Sequence, residues 1–185
     1  TLGGDDGAGP EWVDGIRGKA LKFAEAKHPY VIVKDAGSLV GPGPFTVMAW
    51  IKPVGRRKTM EIVCHKGDTS NKGFRLRNFW SRLAFEIGTG GDSIRVRAPE
   101  WSLEHGFWQH VAATYDGERV RLYVNAVLVA EAKAPTPPTP ESRPLVIGNY
   151  IGRKDAYPFE GVIDEVALYD SALAAEDILH AAAGK

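Results

Sequence analysis

A single cysteine in 185 residues excludes any disulfide within the chain, so stability has to come from packing. That residue, Cys64, lies in the apolar run Ile62-Val63-Cys64 and reads as core, because nothing around it resembles a nucleophile motif. No apolar run approaches the roughly 18 residues a membrane helix requires, so no membrane insertion is expected. An excess of one charge is missing too: Lys+Arg and Asp+Glu each number 23, which argues against nucleic acid as a partner and leaves only local patches. The first ten residues have neither the basic start nor the apolar stretch of a signal peptide. Cys/His zinc clusters, Gly-rich phosphate loops and Ser-His-Asp spacings are absent as well. His65 and His110 stand singly within strand-like runs and read as structural.

What is present is a succession of short strand-like runs separated by turn chemistry. The runs are Ala20–Phe23, Tyr30–Val33, Phe45–Lys52, Glu61–Lys66, Gly73–Arg77, Leu83–Ile87, Ser93–Arg97, Trp108–Tyr115, Arg119–Val124, Val127–Ala132, Leu145–Gly148 and Gly161–Tyr169. Gly41-Pro-Gly-Pro44, Gly88-Thr-Gly-Gly-Asp92 and Asp116-Gly117 supply the turns. Phe45-Thr-Val-Met-Ala-Trp-Ile-Lys52 is apolar on both faces, as a central covered strand should be, whereas Arg119-Val-Arg-Leu-Tyr-Val124 alternates cleanly. The pattern predicts an all-β fold, an antiparallel β-sandwich. Residues 1–17 read as a glycine-rich leading segment or linker and residues 18–185 as one domain, cut from a longer multidomain protein.

The final stretch adds a strand with a carboxylate, then a helix. In Val162-Ile-Asp-Glu-Val-Ala-Leu168, strict alternation puts Val162, Asp164, Val166 and Leu168 on one inward face, where a carboxylate must be paired, hydrogen-bonded or bound to a metal. Asp170-Ser171 is expected to start a short C-terminal helix carrying Leu173, Ile178 and Leu179.

Eight pieces in order carry a family resemblance: Lys19-Ala-Leu-Lys-Phe23, Tyr30-Val-Ile-Val33, Phe45-Thr-Val-Met-Ala-Trp-Ile-Lys-Pro53, Ile62-Val-Cys-His-Lys-Gly67, Trp108-Gln-His-Val-Ala-Ala-Thr-Tyr-Asp-Gly117, Leu122-Tyr-Val-Asn125, Leu145-Val-Ile-Gly148 and Phe159-Glu-Gly-Val-Ile-Asp-Glu-Val-Ala-Leu-Tyr-Asp170. The chain resembles the laminin-G-like branch of the concanavalin A-like lectin/glucanase superfamily from about Gly18 to Ala182. The resemblance implies a jelly roll of two antiparallel sheets. It also implies a non-catalytic module, secreted or at the cell surface, attached to a bacterial carbohydrate-active or surface protein. Such a module would take a polysaccharide or oligosaccharide as its partner. A protein-interaction or adhesion module is the alternative, and a glycoside hydrolase or polysaccharide lyase the third class.

The superfamily's glucanases need acids at alternate positions of one strand, flanking one sugar bond. Glu160-Gly-Val-Ile-Asp164-Glu165 departs from that pattern, so no catalytic residue is assigned. The resemblance further implies a structural calcium ion held by Asp164, with Glu25 as the second carboxylate; the competing reading is Asp164 capping a turn through backbone hydrogen bonds. The remaining candidates come from charge alternation. Arg75 and Arg77 point opposite to Phe74 and Leu76, Arg95 and Arg97 opposite to Ile94 and Val96, and Glu86 opposite to Phe85 and Ile87. On adjacent strands these five decorate one outer face, with Trp80 and Trp101 in the adjoining loops and Tyr150, Arg153 and Tyr157 in a further loop. Guanidinium forks bind carboxylate and sulfate while aromatic faces stack on sugar rings, which suits an acidic or sulfated polysaccharide. A solvated strand face whose arginines pair with nearby acids would show the same alternation.

Overall fold

Two seven-stranded antiparallel sheets face each other across a core of Phe, Leu, Ile and Val side chains. The computed structural model describes residues 1–4, 7–24, 27–34, 41–54, 58–67, 70–150 and 157–184. The first sheet runs β1 (Leu2–Gly3), β4 (Tyr30–Val33), β13 (Leu145–Ile147), β6 (Thr59–His65), β7 (Lys72–Phe79), β8 (Leu83–Thr89) and β9 (Ser93–Arg97). The second runs β12 (Val127–Lys133), β11 (Arg119–Val124), β10 (Gln109–Tyr115), β5 (Phe45–Pro53), β14 (Gly161–Tyr169), β3 (Lys19–Phe23) and β2 (Glu11–Asp14). Phe45, Phe74, Phe85 and Tyr115 meet between the sheets with ring centroids 5.3 to 6.1 Å apart, in the tilted geometry aromatic rings prefer. The fold is the jelly-roll sandwich expected, with one helix, α1 (Ala175–Ala183), at the C-terminal end.

Three expectations are corrected. The leading segment, read without a strand of its own, contributes two edge strands, β1 against β4 and β2 against β3; its glycines hide the alternation that would have announced them. The helix begins at Ala175, not at Asp170-Ser171, because the Thr46 hydroxyl donates to the Ser171 carbonyl and accepts from the Leu173 N–H. Those bonds hold the chain out of helical geometry, in a bend at Asp170-Ser171, through the predicted first turn, and Leu179 ends up exposed while Ile178 is buried. The third correction concerns the last strand. A bulge between Asp164 and Ala167 shifts its phase, with Glu165 at φ 48°. Ile163 therefore faces the core before the bulge, and Val166 and Leu168 pack against the core after it, while Asp164 pairs with Trp50 on the outer side.

Helix α1 lies on the outer face of the second sheet, where Ile178 packs with Met48, Ala112 and Tyr123. Glu176 and Asp177 sit in its first turn, where the helix dipole favours acids, and Gly184 closes it at φ 76°. Among the described residues the outer face of the first sheet carries no helix. Its two halves differ: Tyr30, Ile32, Cys64, Val146, Tyr150 and Tyr157 form an apolar cluster at one side, and the charged strands β7 to β9 make up the other.

Candidate functional site

The strand register across the first sheet aligns its charged side chains into two rows. One runs Cys64, Arg75, Glu86, Arg95 across β6 to β9, and the other Glu61, Arg77, Ala84, Arg97. Glu61 joins the face because a bulge after it leaves both Ile62 and Val63 in the core. The five charged side chains predicted to share a face do share one, but at different depths. Glu86 forms the floor: its Oε2 accepts from Arg75 Nη2 at 2.8 Å, Arg75 Nε at 3.2 Å and Arg95 Nε at 3.0 Å, with Arg77 Nη2 at 3.5 Å. Lys66 Nζ lies 3.7 Å from its other oxygen. Burial pushes the Glu86 carboxyl up, yet Arg75 and Arg95 outweigh it and hold the group down at about 2.

Glu61 is the unlike partner. It is fully buried, takes no hydrogen bond, and has Arg75 Nη1 at 3.7 Å and Arg77 Nη1 at 3.9 Å. Burial raises its carboxyl to about 7 against the pull of those arginines and with the push of Glu86. Two carboxyls driven apart in pKa are what acid/base catalysis uses. Here both lie beneath guanidinium groups and out of solvent, so neither can reach a substrate bond.

Arg75 and Arg77 are likewise nearly buried, whereas 54% of the Arg95 side chain is exposed and Arg97 is exposed. Arg75 faces the Tyr150 ring at 5.6 Å, and Tyr150, buried, packs edge-on against Tyr157. These two tyrosines are thus packed down on the sheet; Arg153, expected beside them, lies outside the described residues. Phe79 is the aromatic that sequence reasoning missed. The guanidinium of Arg97 sits 4.5 Å from its ring centroid and that of Arg77 5.2 Å. Its position two residues beyond Arg77 on the same strand face was the available signal. Among the described residues Arg97 pairs with no carboxylate, and Arg95 engages Glu86 through Nε alone, which leaves its terminal amino groups open.

Trp80 and Trp101, 54% and 65% exposed, stand in the loops that follow β7 and β9. Their loops are tied by the Leu103 N–H to the Ser81 carbonyl and by an Arg82–Glu100 pair at 2.8 Å. Both tryptophans have left-handed backbones, φ 55° and 61°, a costly conformation for a bulky residue.

Asp164 occupies the opposite side of the molecule. Its Oδ2 accepts from the Ile16 N–H at 2.9 Å and the Arg17 N–H at 3.2 Å, and its Oδ1 from the Glu165 N–H at 2.9 Å. A Cβ at Gly15 would come within 2.3 Å of Oδ2, so only glycine lets the turn approach this closely. These bonds make Asp164 a cap of the Gly15–Arg17 turn: three N–H donors point at the one carboxylate, and among the described residues no group of three metal-ligating side chains exists. Glu25, the other expected ligand, lies outside the described residues. The cap places Arg17 so that its Nη2 donates to the Ala181 and Ala182 carbonyls at the end of α1, at 3.2 and 2.6 Å, while Nη1 pairs with Glu165 at 3.3 Å.

Paired antiparallel sheets with a helix on one outer face and a cationic, aromatic-edged surface on the other define a jelly-roll domain of the lectin-like class. The chain belongs to the laminin G family Laminin_G_3, of the concanavalin A-like lectin/glucanases superfamily, whose profile matches residues 25–179. It is 28% identical over 132 residues to human laminin subunit alpha-3, a match covering 70% of this chain and 4% of that protein. Among solved structures it is similar to domain 4 of AbnA, a GH43 extracellular arabinanase from Geobacillus stearothermophilus, in complex with arabinotriose. That pair shares 20% identity and a TM-score of 0.74 over 98% of this chain and 87% of the other. The binding domain of Paraclostridial Mosquitocidal Protein 1 superposes with a TM-score of 0.76 at 16% identity, over 97% of this chain and 46% of that one. No helix among the described residues is long and apolar enough to cross a membrane.

Proposed function

We propose that this domain is a non-catalytic carbohydrate-binding module that holds an acidic polysaccharide on the outer face of the first sheet, as part of a secreted or surface-attached multidomain protein. The observation that carries the reading is the imbalance on that face. Among the described residues Lys66, Arg75, Arg77, Arg95 and Arg97 surround Glu61 and Glu86 alone, and of the two cations left exposed, Arg95 and Arg97, the second lies over the Phe79 ring. The buried ion pairs fix Arg95 from below, so its fork is pre-organised for a uronate carboxylate or a sulfate. Arg97 and Phe79 form a stacked edge, and Trp80 offers an exposed indole to the next sugar ring. Affinity per site is expected to be weak, with the attached domains gaining local concentration rather than chemistry. The arabinanase domain of the same fold, seen with arabinotriose, supports glycan as the ligand class.

The test is isothermal titration with polygalacturonate, a sulfated galactan and a neutral arabinan. Wild-type protein is expected to bind the two anionic polymers, with affinity falling as salt rises. Arg95→Ala with Arg97→Ala should lose at least about tenfold in affinity, since each removes a charge-assisted contact of about 1.5–3 kcal/mol; Arg95 also donates to the buried Glu86, so the double variant should melt lower, while Arg97→Ala alone should weaken binding and keep its melting temperature. Arg75 is left intact because truncating it would strand Glu86 and Glu61 without their main counter-charge. Binding of the double variant at wild-type strength would overturn the assignment, and absence of binding to all three polymers would favour a protein partner.

A further inference from the structure

Two acids lie under the arginine face, and one of them is not bonded to it. Glu86 accepts from Arg75 and Arg95 at 2.8 to 3.2 Å and holds its charge. Glu61 keeps both oxygens out of solvent without a hydrogen bond, and Arg75 Nη1 at 3.7 Å and Arg77 Nη1 at 3.9 Å stand beyond bonding reach. Those arginines are the charged groups that face it from β7, and Glu86 faces it from β8. Lys66 and the Tyr150 ring stand further off, beside Glu86 and Arg75. On the other side β13 brings Val146 and Ile147, and the Glu61 N–H donates to the Tyr157 carbonyl. An ionised carboxylate in such a place is costly, so the site suits the neutral form, and burial holds the group at about 7.

On the reading of this face as the glycan site, we propose that Glu61 couples anion binding above the sheet to proton binding beneath it, the face holding an anionic glycan more tightly while the Glu61 carboxyl is neutral. Arg77 is the cation that carries the coupling. Glu86 grips Arg75 through two bonds. Among the described residues Arg77 has a 3.5 Å contact with Glu86 and the 3.9 Å contact with Glu61, and its Nε has no partner. Its guanidinium lies 5.2 Å from the Phe79 ring centroid, and Arg97 stands over the same ring at 4.5 Å. With Glu61 neutral, the field of Arg77 adds to those of Arg95 and Arg97; with Glu61 ionised, that field is cancelled from below. The register sets Glu61 three strands from Arg97, about 14 Å away through protein rather than water. At that range one unit of charge changes the affinity for a singly charged group by about threefold or more at low salt. The effect is reciprocal: an anion on the face strengthens the hold of Glu61 on its proton, so binding near neutral pH takes up protons.

The experiment is isothermal titration of the whole chain with a sulfated galactan at low salt, from about pH 5.5 to about pH 8.5. Sulfate esters stay ionised over that range, so a change in affinity belongs to the protein. Wild type is expected to lose about threefold or more in affinity as pH rises across it, and Glu61→Gln, which keeps the shape and removes the charge, to hold the low-pH affinity throughout. Lys66 and His65, both pushed down by burial, act in the same sense at the alkaline and acid ends. Both remain in Glu61→Gln, so the part of the slope that this variant removes is the part owed to Glu61. Titration of wild type near pH 7 in buffers of unlike ionisation heat should register an uptake of about a quarter of a proton, a measurement that stands even where Glu61→Gln fails to fold. A wild-type affinity level with pH, a Glu61→Gln slope equal to that of wild type, or binding without proton uptake overturns the coupling and leaves the face as a glycan site. Absence of binding at every pH overturns both.

Discussion

At the scale of single residues the most unusual group is Glu61, a carboxyl without exposure or hydrogen bond beneath two arginines. Its ordinary value of 4.5 rises to about 7 in the fold, so between those limits the folded chain keeps a proton that the unfolded chain has released. Stability therefore falls as pH rises from about 4.5 to about 7, and the penalty is constant above. His110, depressed to about 4, acts in the opposite sense from about 4 to 6.5, so the wild-type profile alone is ambiguous. The clean measurement is a difference. Relative to wild type, Glu61→Gln should gain a few degrees in melting temperature between pH 5 and pH 8, and equal profiles would show that Glu61 ionises normally. The arginines and Glu86 were legible in the sequence because they alternate with Phe74, Leu76, Phe85 and Ile87. Their depth was not, because alternation names a face and says nothing of what lies over it. Glu61 was missed altogether, since simple alternation puts it on the side of Val63.

At the scale of elements, the strands were legible and their irregularities were not. Twelve predicted runs match β3 to β14 within one or two residues, because turns and apolar alternation both mark strand limits. The two bulges after Glu61 and after Asp164 each shift the phase by one, a change no count of alternating residues contains. The start of α1 was misjudged for a similar reason: Asp170 and Ser171 look like caps, while the deciding hydroxyl, Thr46, comes from a strand more than a hundred residues earlier. Asp164 shows what the second bulge achieves, since it turns a carboxylate outward to hold the Gly15–Arg17 turn against the sheet. Asp164→Ala should cost about 2–3 kcal/mol in denaturant unfolding by leaving those N–H groups unmatched. It should also loosen α1, because Arg17 would no longer be aimed at the helix end. Faster amide exchange in residues 181–184 of the variant would register that second effect, and unchanged exchange would show that Arg17 finds the helix without the cap.

At the scale of the whole molecule, the strand order carries a consequence for how the chain reaches this state. Strands β1 to β4 touch the rest of their sheets only through β13 and β14: β13 lies between β4 and β6, and β14 between β3 and β5. Contacts this distant in sequence make refolding slow, in the range of milliseconds to seconds. In pulsed hydrogen exchange, amides of β3 and β4 should gain protection together with those of β14 and after those of β7 and β8; early protection of β3 would contradict this order. On the ribosome the same wiring means that the first strands made wait for the last. Until Tyr169 has emerged, β5 displays an open edge to whatever chaperone or neighbouring chain is at hand, and synthesis of this domain is a race between its own closing strand and those competitors.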